Sequence, residues 1–374
     1  MSIMKPIMSG IMSPIISPII GEPVSLTPKW DADLAATKAG TKDTRTLFVG
    51  DSTMIGAVGN GTHYRPNETK AFANILAANG TPSNDSAFFG TSDFTTAKRL
   101  YKDLRLTGTF TMYSAAALGG FMAQGTSIGQ TLTFTPETAC DTFRVFYWGN
   151  GSSTSTVQAT GGTPVTVANN TAGVAFGTTA LRYLDVTAGS LASGNSVTIT
   201  FVSGSLVPIA AIEAWDSTQK QVINVNAGHY GSSTPNWIVT GASNRAPLDI
   251  LQGFPDGYYS FVVIKPGIND AGNSRDIETV YKPNLRTMIN AIGTKADIII
   301  EACNPISSLA ELPYNVANRE IADEYGLLFV NNRLAPDFDT YSNAVSAGLM
   351  GDTLHPNSDG LTLVGEYLYN QIVN

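Results

Sequence analysis

Between two stretches in which strands alternate with helical patterns lies a segment with almost no helical spacing, residues 108–216, and this interruption restricts the chain's fold more than any other feature. Within it, runs at 130–135, 142–148, 164–167, 181–186, 196–202 and 207–215 are rich in β-branched and aromatic residues and are separated by Gly, Ser, Thr and Asn. Short strands at that spacing predict a β-sandwich of jelly-roll type. Before it, the strand pattern 46–49 ends in Gly50 and is followed by helical spacing over 71–78. After it come strand patterns at 222–225, 261–264, 298–301 and 327–330, with helical patterns at 275–292, 314–325 and 358–372 between and beyond them. Such alternation implies a parallel sheet covered by helices on both faces. The simplest organisation is one α/β domain, residues 44–107 plus 217–374, interrupted by a β-domain over 108–216. A length of 374 residues, 43% of them hydrophobic, supplies enough apolar surface for two cores.

Four clusters in the α/β part carry chemistry. Gly50-Asp51-Ser52 directly follows the first strand, where a tight turn lifts a serine hydroxyl above the carboxyl edge of a parallel sheet. Alone, the tripeptide is equally an ordinary turn or helix cap. Asp352-Thr353-Leu354-His355-Pro356 precedes the last helix, and the three-residue separation lets the carboxylate reach one imidazole nitrogen while the other faces a serine. Alone, this is a capped turn before a helix. Gly267-Ile268-Asn269-Asp270 follows the strand at 261–264 and opens at the same edge as Ser52, so the Asn269 amide can donate to a developing oxyanion. Asn226-Ala227-Gly228-His229-Tyr230-Gly231-Ser232 follows the strand at 222–225, where a glycine can bring its N–H close to a substrate carbonyl.

In the order Ser, Gly, Asn, His, these clusters resemble the four blocks of the SGNH (GDSL-like) hydrolase family, and the resemblance extends over the α/β part of the chain. It implies a flavodoxin-like fold and a serine esterase that needs no cofactor or metal. Residue by residue it implies Ser52 as nucleophile and first oxyanion donor, Gly231 and Asn269 as further donors, His355 as base and Asp352 as its orienter. Gly228 also fits the second block; Gly231 is preferred because Tyr230-Gly231-Ser232-Ser233 aligns better with the family's small-residue turn. Asp51, His229 and Asp270 adjoin these groups and are expected to line the substrate site. Two departures stand out: Thr53-Met54 replaces the leucine of many members, and the β-domain separates the first two blocks. His63 and His229 have no carboxylate at the Asp352–His355 spacing, which disfavours either as the base.

The inserted β-domain resembles a carbohydrate-binding module, and the whole resembles phage tail proteins that deacetylate bacterial surface polysaccharides. Tyr113, Tyr147, Trp148 and Tyr183 are candidates for stacking on sugar rings, although each is an equally good core residue. The expected reaction is removal of short acyl groups, O-acetyl above all, from polysaccharide; the alternative is a non-catalytic carbohydrate-binding virion or surface protein that keeps the fold as scaffold. A net charge of −8 gives no basic stripe for nucleic acid or anionic membrane. With only 14% charged residues and abundant Gly, Ser, Thr and Asn, an extracellular or virion-associated protein is expected. Cys140 and Cys303 lie far apart, with no disulfide framework or metal spacing, and read as two free buried thiols. Residues 1–23 place proline after nearly every apolar pair, a pattern not expected of a helical signal peptide or membrane span, and read either as an extended segment docking onto a larger particle or as a disordered tail.

Overall fold

The computed structural model describes residues 25–56, 67–90, 104–114, 117–148, 153–168, 173–241 and 246–373, so the N-terminal segment 1–23 and His63 lie outside the described residues. The chain enters through α1 (Pro28–Lys38), β1 (Thr44–Gly50), the single turn α2 (Ser52–Ile55), α3 (Glu68–Ala78) and β2 (Ser83–Phe89). Eleven strands follow: β3 (Leu106–Gly108), β4 (Thr111–Ser114), β5 (Phe121–Gly125), β6 (Thr131–Phe134), β7 (Cys140–Trp148), β8 (Thr154–Ala159), β9 (Val165–Ala168), β10 (Val174–Ala175), β11 (Leu181–Ala192), β12 (Val197–Ser203) and β13 (Val207–Trp215). The α/β pattern then resumes with β14 (Val222–Gly228), α4 (Thr234–Trp237), α5 (Pro247–Gly253), β15 (Phe261–Lys265), α6 (Ile268–Gly272), α7 (Lys282–Ile292), β16 (Asp297–Glu301), α8 (Leu312–Tyr325), β17 (Leu328–Val330), α9 (Tyr341–Ser346) and α10 (Ser358–Val373). The helical pattern expected over 275–292 is divided, a π turn at Ile277–Tyr281 preceding α7, whose second residue, Pro283, has no N–H to donate. No helix among the described residues is long and apolar enough to cross a membrane.

The parallel strands run in the order β2-β14-β1-β15-β16-β17. Leaving out β2, this is the 2-1-3-4-5 order of a flavodoxin-like sheet, whose direction of growth reverses between β1 and β15. Register places Gly50 opposite Gly228 on one side and opposite Lys265 on the other, so the chain leaves three neighbouring strands at one height. The loops carrying Ser52, Gly231 and Asn269 all start there.

The segment 108–216 is less separate than its sequence suggests. Its strands build two sheets, but one of these is a continuation of the hydrolase sheet: β13 pairs antiparallel with β2 and leads on to β7, β11 and β10, while β5 and β4 attach to the other end of β13. The second sheet, β3-β6-β12-β8-β9, packs on this extension through Leu132, Phe134, Val157, Val197, Ile199 and Phe201 against Phe143, Val145 and Ile212. The opposite face of the large sheet bears one core spanning both halves, in which Leu47, Val225, Val262 and Ile300 join Phe146, Leu181 and Ala211 beneath α5, α7 and α8. On the remaining face of the parallel half, Phe48, Phe261, Val263 and Ile299 pack under α1, α3 and α10. A strand's alternation predicts that Leu47 and Phe48 enter different cores, and they do.

Candidate active site

Ser52 is the first residue of α2, and Asp51 caps that turn, its Oδ1 accepting from the Thr53 N–H and hydroxyl at 2.9 Å each. The first N–H groups of a helix have no partner within it, so Ser52 presents its hydroxyl and its backbone N–H at the end of β1. Its Oγ lies 2.9 Å from His355 Nε2, and only 2% of the residue is exposed. His355 Nδ1 lies 3.0 Å from Asp352 Oδ2 and 3.2 Å from Oδ1. The turn is locked from within: Asp352 Oδ1 accepts from the N–H groups of Leu354 (2.7 Å) and His355 (2.6 Å), and the His355 carbonyl accepts from Gly351 N–H at 2.8 Å. Partial burial pushes the Asp352 carboxyl upward, but these N–H groups and the imidazole outweigh it and hold the group below the usual aspartate value. An ionised Asp352 on Nδ1 leaves Nε2 to accept a proton from Ser52.

The two candidate glycines differ in what their N–H groups do. The Gly228 N–H is taken by Asn226 Oδ1 at 2.8 Å, and a Cβ there would stand 2.5 Å from Ile55 Cγ1. Gly231 has φ +67°, in a turn closed by the Ser232 N–H on the His229 carbonyl (3.1 Å), and no bond from its own N–H is formed among the described residues. It is therefore the glycine with a donor to spare. Asn269, half-buried on α6, uses one N–H of its amide on the Ser232 carbonyl at 2.9 Å and keeps a second. The turn before it requires Gly267, at φ +120°, because a Cβ would meet Cys303 Sγ at 2.7 Å and the Tyr281 hydroxyl at 2.9 Å.

Asp51 and Asp270, expected to touch substrate, are instead buried supports. Asp51 caps α2, and Asp270 accepts from the Thr234 N–H (3.1 and 3.0 Å) and hydroxyl (2.7 Å), fixing the loop after β14 to α6. Burial raises both carboxyls above the ordinary aspartate value, and the Thr53 and Thr234 bonds respectively offset it only in part. His229 is packed edge-on between Phe121 (6.3 Å between centroids) and Trp237 (5.8 Å), and burial pushes its imidazole down to about 4, so it is neutral at pH 7. Of the aromatics named for sugar stacking, Tyr147 is buried in the sandwich core and Tyr183 is covered by the Arg144 guanidinium at 4.0 Å. Trp148 is half-buried against the shared core, and the Tyr113 side chain lies outside the described residues. Cys140 and Cys303 are free and buried, and Cys303 Sγ donates to the Pro266 carbonyl at 3.0 Å beneath the Gly267 turn.

One cluster had no sequence signal. Lys265, opposite Gly50, is buried with its Nζ 2.6 Å from both Glu68 Oε2 and Glu301 Oε1. Burial, reinforced by the neighbouring Glu68, raises the Glu301 carboxyl well above its ordinary value. Charged side chains read as surface in a sequence, which is why this internal cluster under the Ser52 turn was missed. No group of three or more His, Cys, Asp or Glu among the described residues is placed to hold a metal.

The sheet order, the register of three strand ends and the four clusters at one edge converge with what known proteins show. Residues 189–363 match the model of the GDSL-like Lipase/Acylhydrolase family. The fold is that of an SGNH hydrolase. The matched segment contains Gly231, Asn269, Asp352 and His355, whereas Ser52 lies ahead of it on the far side of the insertion. Among solved structures, one described as a peptidoglycan O-acetylesterase superposes with a TM-score of 0.67 at 16% identity, covering 92% of this chain and 95% of its own. That likeness in fold extends through the inserted strands as well as the parallel sheet. A member of the lipolytic G-D-S-L family from Veillonella parvula DSM 2008 gives a TM-score of 0.28 at 20% identity, covering 40% of this chain and 79% of that one. A family two carbohydrate esterase from Cellvibrio japonicus gives 0.24 at 11%, covering 71% and 97%. No curated protein matches the chain in sequence.

Proposed function

We propose that the chain is a serine esterase that removes short acyl groups, O-acetyl in particular, from a polysaccharide. The observation carrying this reading is the continuous contact from Ser52 Oγ to His355 Nε2 and from His355 Nδ1 to Asp352. Ser52 Oγ attacks the ester carbonyl while His355 Nε2 takes its proton. The electron pair pushed onto the carbonyl oxygen is met by the N–H groups of Ser52 and Gly231 and the free N–H of the Asn269 amide, each such donor worth about 3 kcal/mol in a dry site. Collapse expels the sugar oxygen, which takes the proton from His355, and leaves an acyl-serine. Water, deprotonated by His355, attacks this ester, and carboxylate departs as Ser52 is restored. The polysaccharide assignment draws on the full-length likeness to a protein described as a peptidoglycan O-acetylesterase.

The test is hydrolysis of p-nitrophenyl acetate by the wild-type chain and by Ser52→Ala, followed by acetate release from O-acetylated bacterial polysaccharides. Turnover abolished by Ser52→Ala is expected; equal turnover by the variant sinks the reading. We further propose an extracellular or virion-associated setting such as a phage tail, with residues 1–23 as the anchor. Their deletion is expected to leave ester hydrolysis intact and to abolish association with the particle, and unchanged association rules the anchor out.

A further inference from the structure

The loop between β14 and α4 carries Gly231, and it is held from three sides. The His229 N–H donates to the Gly50 carbonyl at 2.8 Å, two residues before Ser52. Asn269 holds the Ser232 carbonyl and Asp270 holds Thr234. The third hold comes from the insertion. Phe121, the first residue of β5, lies edge-on to the His229 ring, and Trp237 of α4 flanks the same ring. Gly120 closes the remaining space: at φ +84°, a Cβ would stand 2.3 Å from His229 Cδ2 and Nε2. The insertion approaches so closely because its backbone meets backbone there, a Cβ on Gly119 falling 2.1 Å from the Phe89 carbonyl oxygen at the end of β2.

His229 Nδ1 is buried with no partner among the described residues, so the ring contributes through its shape and packing. Its peptide does the rest, since its N–H is tied to the nucleophile strand and its carbonyl closes the turn that puts Gly231 at φ +67°. From this arrangement we infer that His229 is a positioning residue through which the insertion, by way of Phe121 and Gly120, sets the place of the Gly231 N–H relative to Ser52. The inserted strands then complete the active site instead of only holding a substrate near it. This inference rests on the esterase reading for its kinetic consequence and on the loop contacts alone for its structural one.

The experiment uses the full chain and four variants, His229→Ala, His229→Phe, Phe121→Ala and the double His229→Ala/Phe121→Ala, with p-nitrophenyl acetate as substrate. His229→Ala is expected to lower kcat about 10- to 100-fold, the scale of a misplaced oxyanion donor, with KM within about two-fold of wild type. His229→Phe keeps a flat ring between Phe121 and Trp237 and is expected to restore kcat to within about three-fold of wild type. Phe121→Ala is expected to lower kcat several-fold alone and to add nothing in the His229→Ala background, the signature of residues acting through one another. Hydrogen exchange of the peptide spanning 229–234 reads the same coupling without chemistry and is expected to accelerate in both single alanine variants. Wild-type kcat in His229→Ala, independent losses in the double variant, or unchanged exchange of that peptide overturns the inference. Retained turnover by Ser52→Ala counts against the esterase reading alone and leaves the exchange result to judge the coupling.

Discussion

The two halves of the twelve-stranded sheet solve the same burial problem in different ways. In the parallel half, β15 is buried at all five positions and β1 at six of its seven, because helices cover both faces. In the small sheet of the insertion, β6, β8 and β12 alternate buried residues with ones that are mostly half-buried, one face packed in the core and the other only partly covered. β13 combines the two modes: antiparallel like its insertion neighbours, it is buried at all nine positions because it is the seam between the halves. The chemistry divides along the same line. Ser52, Gly231 and Asn269 leave the carboxyl ends of parallel strands, where helix starts and loops offer unpaired donors, whereas the antiparallel half contributes packing.

Substitutions can separate chemistry from packing. The largest effect is expected in the parallel half, where His355→Ala should lower kcat for ester hydrolysis by on the order of 10⁴-fold or more and Asp352→Asn by about 10²–10⁴-fold, with little change in melting temperature. Activity that survives either change would break the division. At the seam, Glu213 is buried, accepts from Arg45 Nε at 2.8 Å and receives the Tyr258 hydroxyl at 3.0 Å. Glu213→Ala leaves the Arg45 guanidinium without its partner, and a loss of about 3–5 kcal/mol is expected in denaturant unfolding, with turnover per folded molecule unchanged. In the insertion's own core, Leu132→Ala should cost about 2–5 kcal/mol and leave kcat alone; a proportionate fall in kcat would mean that the small sheet reaches the site directly.

The smallest effect is a slope in pH. His229 falls to about 4 in the fold from an ordinary value of 6.5, so the unfolded chain binds its proton first as pH drops. Its contribution to stability is complete above about pH 6.5 and declines as pH falls toward 4, and thermal melts across that window should show a slope that His229→Phe removes. Asp352 acts lower down: its depressed carboxyl stabilises the fold above the ordinary aspartate range and ceases to do so only below it.

Much of this organisation could be read from the chain. The parallel strands β1, β14, β15, β16 and β17 announce themselves as apolar runs, and the residues at 50–52, 267–270 and 352–355 were legible because each follows a core strand or precedes the last helix. Besides the Lys265 cluster, three things were hidden. β2 begins Ser83-Asn84-Asp85-Ser86, whose polar side chains mask a strand buried at most of its positions. The continuity of the sheet depends on β13 pairing with β2, a long-range choice that no local periodicity encodes. Asp51 and Asp270 looked like cleft residues because acids beside a nucleophile suggest substrate contact, whereas their carboxylates are spent on Thr53 and Thr234.

The most direct test of the division is covalent. A fluorophosphonate, which reacts far faster with a serine that a neighbouring base activates than with an ordinary one, should label the full-length chain at Ser52, with the adduct located by peptide mass mapping, and His355→Ala should slow labelling on the scale of its loss in kcat. A chain that hydrolyses ester while Ser52 stays unlabelled, or that carries the label on another serine, would contradict the account.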